Sequence, residues 1–184
     1  MKKIAARALL TCATAIFYVN PVAAQGSDAP PLPGTVLAGQ GTMRFFGLEV
    51  YQARLWVSPG FAPERYAEQP LALALTYQRN FTAQAIAKRS IEEMRRVGPF
   101  SAEQAERWQA ALQTALPDVK PGDTLTGLYQ PGSGAVFRLG SKVVGEVADP
   151  EFARLFFGIW LSPNTSEPAL RQSLVASRTT SGGQ

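Results

Sequence analysis

Val36–Phe46 and Leu48–Val57 are runs rich in β-forming residues, and the second sorts its apolar and polar positions by face. In Leu48–Val57, Tyr51, Ala53, Leu55 and Val57 share one face while Gln52 and Arg54 share the other, the alternation of strands whose two faces meet different surroundings. Val36–Phe46 and Leu48–Val57 are therefore predicted as two strands of an antiparallel sheet. The run LALALTY repeats the pattern, with Leu71, Leu73, Leu75 and Tyr77 set between small residues, and predicts a third. The period then lengthens. Across Ala83–Val97 the apolar residues Ala87, Ile91 and Met94 fall at helical spacing, interleaved with Lys88, Arg89, Glu92, Glu93, Arg95 and Arg96, a mixture of signs that reads as a solvated helix face.

Gly98-Pro99 stops that helix, and Ser101-Ala102-Glu103-Gln104 starts another with a capping-box signature: the serine accepts from the Gln104 amide and the Gln104 side chain reaches back. This second helix buries Ala105, Trp108 and Leu112 and halts before Pro117. Turn signals at Pro121-Gly122-Asp123, Pro131-Gly132-Ser133-Gly134 and Gly140-Ser141 then separate Thr124–Gln130, Ala135–Leu139 and Val143–Val147 into a meander. Asp149-Pro150-Glu151 opens a third helix, with Asp149 as N-cap and Pro150 in its first turn, and Phe152, Leu155, Phe156, Ile159 and Trp160 make it apolar nearly all round. A short last helix is expected over Glu167–Val175. Strands, helices, strands and helices in that order predict the α+β class.

The N-terminus changes the picture of where this domain works. Met1-Lys2-Lys3, the apolar run Ala8–Val19 and the small residues ending at Ala24 read as a secretory signal peptide over 1–24, cleaved near Ala24. Residues 25–34, rich in Pro, Gly and Ser, are expected as a flexible lead-in, 35–176 as the folded domain and 177–184 as a disordered tail. The expected location is the periplasm or the medium, with no transmembrane segment after signal removal, since the apolar run of the leader is too short to span a bilayer.

Charge and composition mainly exclude. The net charge of +4 falls close to neutrality once Lys2, Lys3 and Arg7 leave, so nucleic acid is not an expected partner. The sequence has no histidine, and its single cysteine, Cys12, lies in the leader. The domain therefore carries no disulfide, no Ser-His-Asp or Cys-His nucleophile, and no imidazole or thiolate for a metal. No metal and no cofactor is expected.

Gly39-Gln40-Gly41 lacks the third glycine of a dinucleotide-binding loop and precedes a strand rather than a helix. A close backbone approach or a bulge accounts for it better. Arg44, in the middle of an apolar stretch, admits two readings: it pairs with a nearby carboxylate at a sheet edge, or it faces an apolar cleft. A guanidinium in such a cleft needs an anion, and a ligand carboxylate or enolate oxygen would supply one.

Gly39-x-Gly41-x-x-Arg44, VYQARLWV, IAKRSIEEMRR, RWQAAL, PDVKPGDTLTGLY and DPEFARLFFGIWL, in this order, resemble the chalcone isomerase-like family in its bacterial secreted branch. The resemblance implies an open-faced β-sandwich: a curved antiparallel sheet with helices packed on one side and a cleft between them. In the plant isomerases of that family, the arginine after the glycine pair stabilises an enolate-like oxygen, and Arg44 matches it. Those enzymes also use a threonine on the next strand, a tyrosine and an asparagine on the first long helix, and a threonine or serine on the penultimate helix. The corresponding positions here are Tyr51, near Ile86 and Glu93, and near Gly158. Ala83–Val97 contains neither tyrosine nor asparagine, which argues against flavonoid cyclisation. Other relatives bind fatty acids through an arginine and a tyrosine, and Arg44 with Tyr51 resembles that arrangement. The expected function is thus non-catalytic binding of a small amphipathic or aromatic acid, such as a fatty acid, by Arg44 and Tyr51. The alternative is an isomerase of the intramolecular lyase type, with the same two residues catalytic. A spacing of seven sets them on opposite faces of an unbroken strand, so a turn or bulge at Gly47 is expected between them.

Overall fold

In the computed structural model, which describes residues 30–176, the alternating runs become six strands: β1 (Val36–Phe45), β2 (Leu48–Val57), β3 (Leu71–Tyr77), β4 (Thr124–Gln130), β5 (Gly134–Leu139) and β6 (Lys142–Val147). They form one sheet in chain order, antiparallel throughout. Helices α1 (Ala83–Val97) and α2 (Ala102–Ala115) intervene between β3 and β4, while α3 (Pro150–Leu161) and α4 (Pro168–Val175) follow β6. The expected leader, the lead-in up to residue 29 and the tail 177–184 lie outside the described residues.

The helices start where the capping residues predict. The Ser101 hydroxyl accepts from the Gln104 amide at 3.0 Å while the Gln104 side chain accepts from the Ser101 amide at 2.9 Å. Asp149 accepts from the amides of Glu151 and Phe152, each at 3.0 Å, and its other oxygen accepts from the Trp108 indole at 2.7 Å. One carboxylate thus caps α3 and ties it to α2. Burial opposes ionisation of Asp149, but the Phe152 amide, the Trp108 indole and the Glu151 amide together hold its carboxyl below the usual carboxylate range.

One side of the sheet meets the helices. Ala53, Leu55 and Val57 of β2, with Leu71 and Leu73 of β3, pack against Phe152, Leu155, Phe157 and Leu161 of α3 in one buried core, each large side chain contributing about 1.5–3 kcal/mol. On the outer side, Trp56, Ala72 and Ala74 form a small second cluster with Leu32 and Leu128. Pro30–Gly34, the described part of the expected lead-in, lies against that outer side, where the Pro31 carbonyl accepts from Arg138 at 3.3 Å.

The glycine pair of β1 is explained by α4. A Cβ at Gly39 would lie 2.3 Å from the Ser173 carbonyl oxygen, and one at Gly41 2.7 Å from Leu170 Cδ1. The strand also shifts register between Leu37 and Gly39. Both the close approach and the bulge expected from the sequence are present.

Candidate functional site

The hairpin that joins β1 to β2 decides where the arginine points. Its two-residue turn is Phe46-Gly47, with φ of 48° and 77°. Hairpin turns of this kind favour asparagine, aspartate or glycine at both positions because each has positive φ, and a bulky side chain held there costs about 1–2 kcal/mol. A register shift between Met43 and Arg44 leaves Met43 opposite Tyr51 but Arg44 opposite Glu49.

Met43 and Phe45 face inward, so Arg44 between them faces out. Its guanidinium pairs with Glu49 at 2.5 Å, with the two side chains 59% and 44% exposed. The turn expected at Gly47 is there, yet it does not bring the two predicted ligand residues together. Arg44 is already neutralised on the outer side of the hairpin, which corrects its expected place in a cleft. Tyr51 does face inward.

What Tyr51 faces is a cavity of about 500 Å³ between sheet and helices. Met43, Phe45, Leu48 and Val50 line it from the hairpin, Leu75, Tyr77 and Leu125 from β3 and β4, Ile86 and Ala85 from α1, and Phe156, Ile159 and Trp160 from α3. Few polar groups join them: Tyr51, Arg79, Arg89, Ser90, Ser166, Glu93 and Glu167.

The Tyr51 hydroxyl accepts from the Trp160 indole at 3.0 Å. Among the described residues its own proton meets no acceptor. Burial pushes this phenol up to about 12; the Trp160 hydrogen bond works the other way, and the carboxylates of Glu167 and Glu93 add to the rise. It is therefore a protonated donor at any ordinary pH. Tyr77, its cross-strand partner at 5.9 Å between ring centroids, is pushed up as well, by burial and then by Tyr51.

Arg79 follows Tyr77 by two residues. Its Nε donates to the Glu49 carbonyl at 3.2 Å, and among the described residues it has no carboxylate partner. Arg89 is placed differently, since Glu93 lies 2.6 Å from it and Glu92 3.3 Å. Glu93 is only 6% exposed and also faces Arg96 at 3.6 Å, so α1 is not a wholly solvated charged face as expected. Its spacing from Ile86 and Ser90, seven and three residues, puts Glu93 on the cavity stripe, a signal that the alternation of charges masks in the sequence. No cluster of histidine, cysteine, aspartate and glutamate suited to a metal occurs among the described residues.

A chalcone isomerase-like family profile matches residues 34–176. The chain belongs to that family. A curated relative from Haemophilus influenzae, described as an uncharacterized protein, is 29% identical over 126 residues, 68% of this chain and 60% of the relative. The chain thus spans under two thirds of that relative's length. Among solved structures, an Arabidopsis thaliana fatty-acid binding protein superposes with a TM-score of 0.60 at 11% identity, covering 78% of this chain and 87% of the other, a likeness of fold. The match bears out the chalcone isomerase-like α+β architecture, an open antiparallel sheet with helices on one side. Of the positions matched to the plant isomerases, Tyr51, Ile86 and Glu93 line the cavity. Gly158 instead fits between Tyr66 and Val97, where a Cβ would lie 2.5 Å from each.

Proposed function

We propose that this protein binds, without transforming it, a small amphipathic carboxylate such as a fatty acid, with its tail in the cavity and its carboxylate between Arg79 and Tyr51. The observation that carries this reading is the cavity: about 500 Å³, walled mainly by apolar side chains, with a few convergent polar groups, as small-molecule sites generally are. The fatty-acid binding protein that shares the fold supports the ligand class. Arg79 replaces Arg44 as the anchor in this reading because it lines the cavity and keeps its terminal nitrogens free of any described carboxylate. Tyr51 adds a neutral donor on the neighbouring strand, and charge-assisted pairing with a guanidinium orients the head. The leader expected at 1–24 supports action in the periplasm or outside the cell.

Cyclisation through an enolate is served less well by the same residues. Arg44 is outside the cavity, Ile86 offers no hydrogen bond, and Glu93 would repel a developing negative charge.

Denaturing extraction of the purified protein followed by lipid mass spectrometry tests the reading, with titration of a fluorescent fatty acid alongside. Acyl carboxylates are expected to co-purify, and Arg79→Ala is expected to weaken binding about tenfold, the scale of one charged hydrogen bond, while Arg44→Ala leaves it unchanged. Equal affinity in both variants would overturn the anchor. An empty protein that binds no fatty acid would overturn the function.

A further inference from the structure

The cavity opens beside the most exposed apolar feature among the described residues. Phe46, at the turn of the β1–β2 hairpin, is 90% exposed, and Phe45 and Leu48 on either side are 57% and 53% exposed. Three of the six large apolar side chains exposed among the described residues therefore fall within four consecutive positions. Phe45 and Leu48 also line the cavity, so the patch on the tip and the lining of the hollow are one continuous apolar surface. The ring of Phe46 packs edge-on against Phe45, with 4.5 Å between centroids.

The turn is a poor place for such a residue. Phe46 has φ of 48°, in the left-handed region where asparagine or glycine would be less strained. A large ring held mostly in solvent at a strained position gains little from burial, and local strain concentrates where function requires it. Beside the tip, Arg44 is balanced by Glu49, whereas Arg79 adds a positive charge with no described carboxylate against it. An apolar tip with a cation behind it fits the boundary between acyl chains and anionic head groups. No helix among the described residues is long and apolar enough to cross a membrane, so any attachment through this tip is peripheral.

We infer that the Phe45–Leu48 tip is a wedge that enters the surface of an anionic lipid bilayer, so that an acyl ligand passes between membrane and cavity along the Phe45–Leu48 wall. This inference rests on the proposed binding of an acyl carboxylate. It assigns the hairpin a second role: setting where the ligand is collected or released.

The test compares the protein beginning at Gln25, which keeps every described residue, with its Phe46→Asn variant. The substitution suits the turn and is expected to raise the melting temperature, so a loss of function cannot be blamed on misfolding. Flotation with vesicles of phosphatidylethanolamine and phosphatidylglycerol is expected to show about tenfold weaker partitioning of the variant. Transfer of a fluorescent fatty acid from those vesicles should slow to a similar degree, while affinity for the same fatty acid free in solution stays unchanged. Failure of the wild type to float, or equal flotation of both proteins, overturns the wedge. So does self-association of the wild type through the tip, abolished by Phe46→Asn, in place of vesicle binding. Affinity for fatty acid in solution reports separately on the proposed function: vesicle binding with no such affinity would overturn that reading while leaving the tip a membrane contact.

Discussion

Under one half of the sheet the helices enclose a solid layer of rings; under the other they leave a hollow. Trp108, Phe137, Phe152 and Phe157 are essentially inaccessible, and contacts of 5.1–5.9 Å between centroids run from Phe100 through Trp108, Phe152 and Phe156 to Phe137 and Trp160. Beneath α1 and the hairpin the same sheet and the same α3 bound a space of about 500 Å³. Protein interiors leave few voids larger than a water molecule, so an unfilled region of this size beside a filled one marks a division of labour. The ring-filled half stabilises the fold, and the hollow half forgoes that stabilisation and leaves the space that the proposed ligand would occupy.

The sharpest break in the comparison is Phe152→Ala. It opens a cavity in the filled half and is expected to cost about 3–5 kcal/mol, read by urea unfolding. A loss below 1 kcal/mol would mean that the ring layer is not the stabilising half.

Asp149→Ala tests the link that holds the filled half together. It removes the α3 cap and leaves the Trp108 N–H without its acceptor, for a loss of about 2 kcal/mol near neutral pH. The sign of the pH effect follows from the lowered carboxyl. A group whose folded pKa is depressed stabilises the fold above its unfolded value, about 3.9, and that contribution disappears as pH falls through the lower folded value. Thermal unfolding across the acid range should therefore show the wild type losing its advantage over the variant below about pH 4. A gap that stays constant to strong acid would mean that the ionised cap is not responsible.

The smallest effect is expected in the hollow half. Ser90 lines the cavity, and its hydroxyl donates only to the Ile86 carbonyl at 2.8 Å on its own helix. Ser90→Leu adds apolar volume where there is room, so stability should change by less than about 1 kcal/mol, in contrast to the 1–3 kcal/mol that overpacking costs a filled core. Fatty-acid affinity, followed by fluorescence, should fall. A large destabilisation with unchanged affinity would show that the space is not available to a ligand.

Much of the fold is legible in the amino-acid order. The period of two in Leu48–Val57 and in LALALTY, the capping box at Ser101, the Asp149-Pro150 start and the meander after Pro121 all appear in the structure within about two residues. These signals are local: each depends on dihedral preference or on a hydrogen bond a few residues away. The glycine pair is legible in kind, as a close approach, but its partner α4 lies over a hundred residues downstream, beyond the reach of any local pattern.

The candidate site was only half legible. Tyr51 lies where the alternation of β2 puts it. Arg44 does not line the cavity, because the alternation that turns Met43 and Phe45 inward turns it outward, where Glu49 pairs with it. Arg79 lies past the end of a strand, where alternation offers no guide, and Glu93 is hidden in a stretch whose charges otherwise reach solvent. By itself, then, the sequence determined the elements, their caps and the two unlike faces of the sheet, since these follow from short-range sterics and periodicity. Only the tertiary structure decided which arginines border the cavity, which glutamate is buried and where sheet and helices leave a hollow, because register and packing are set by contacts between segments far apart in the chain.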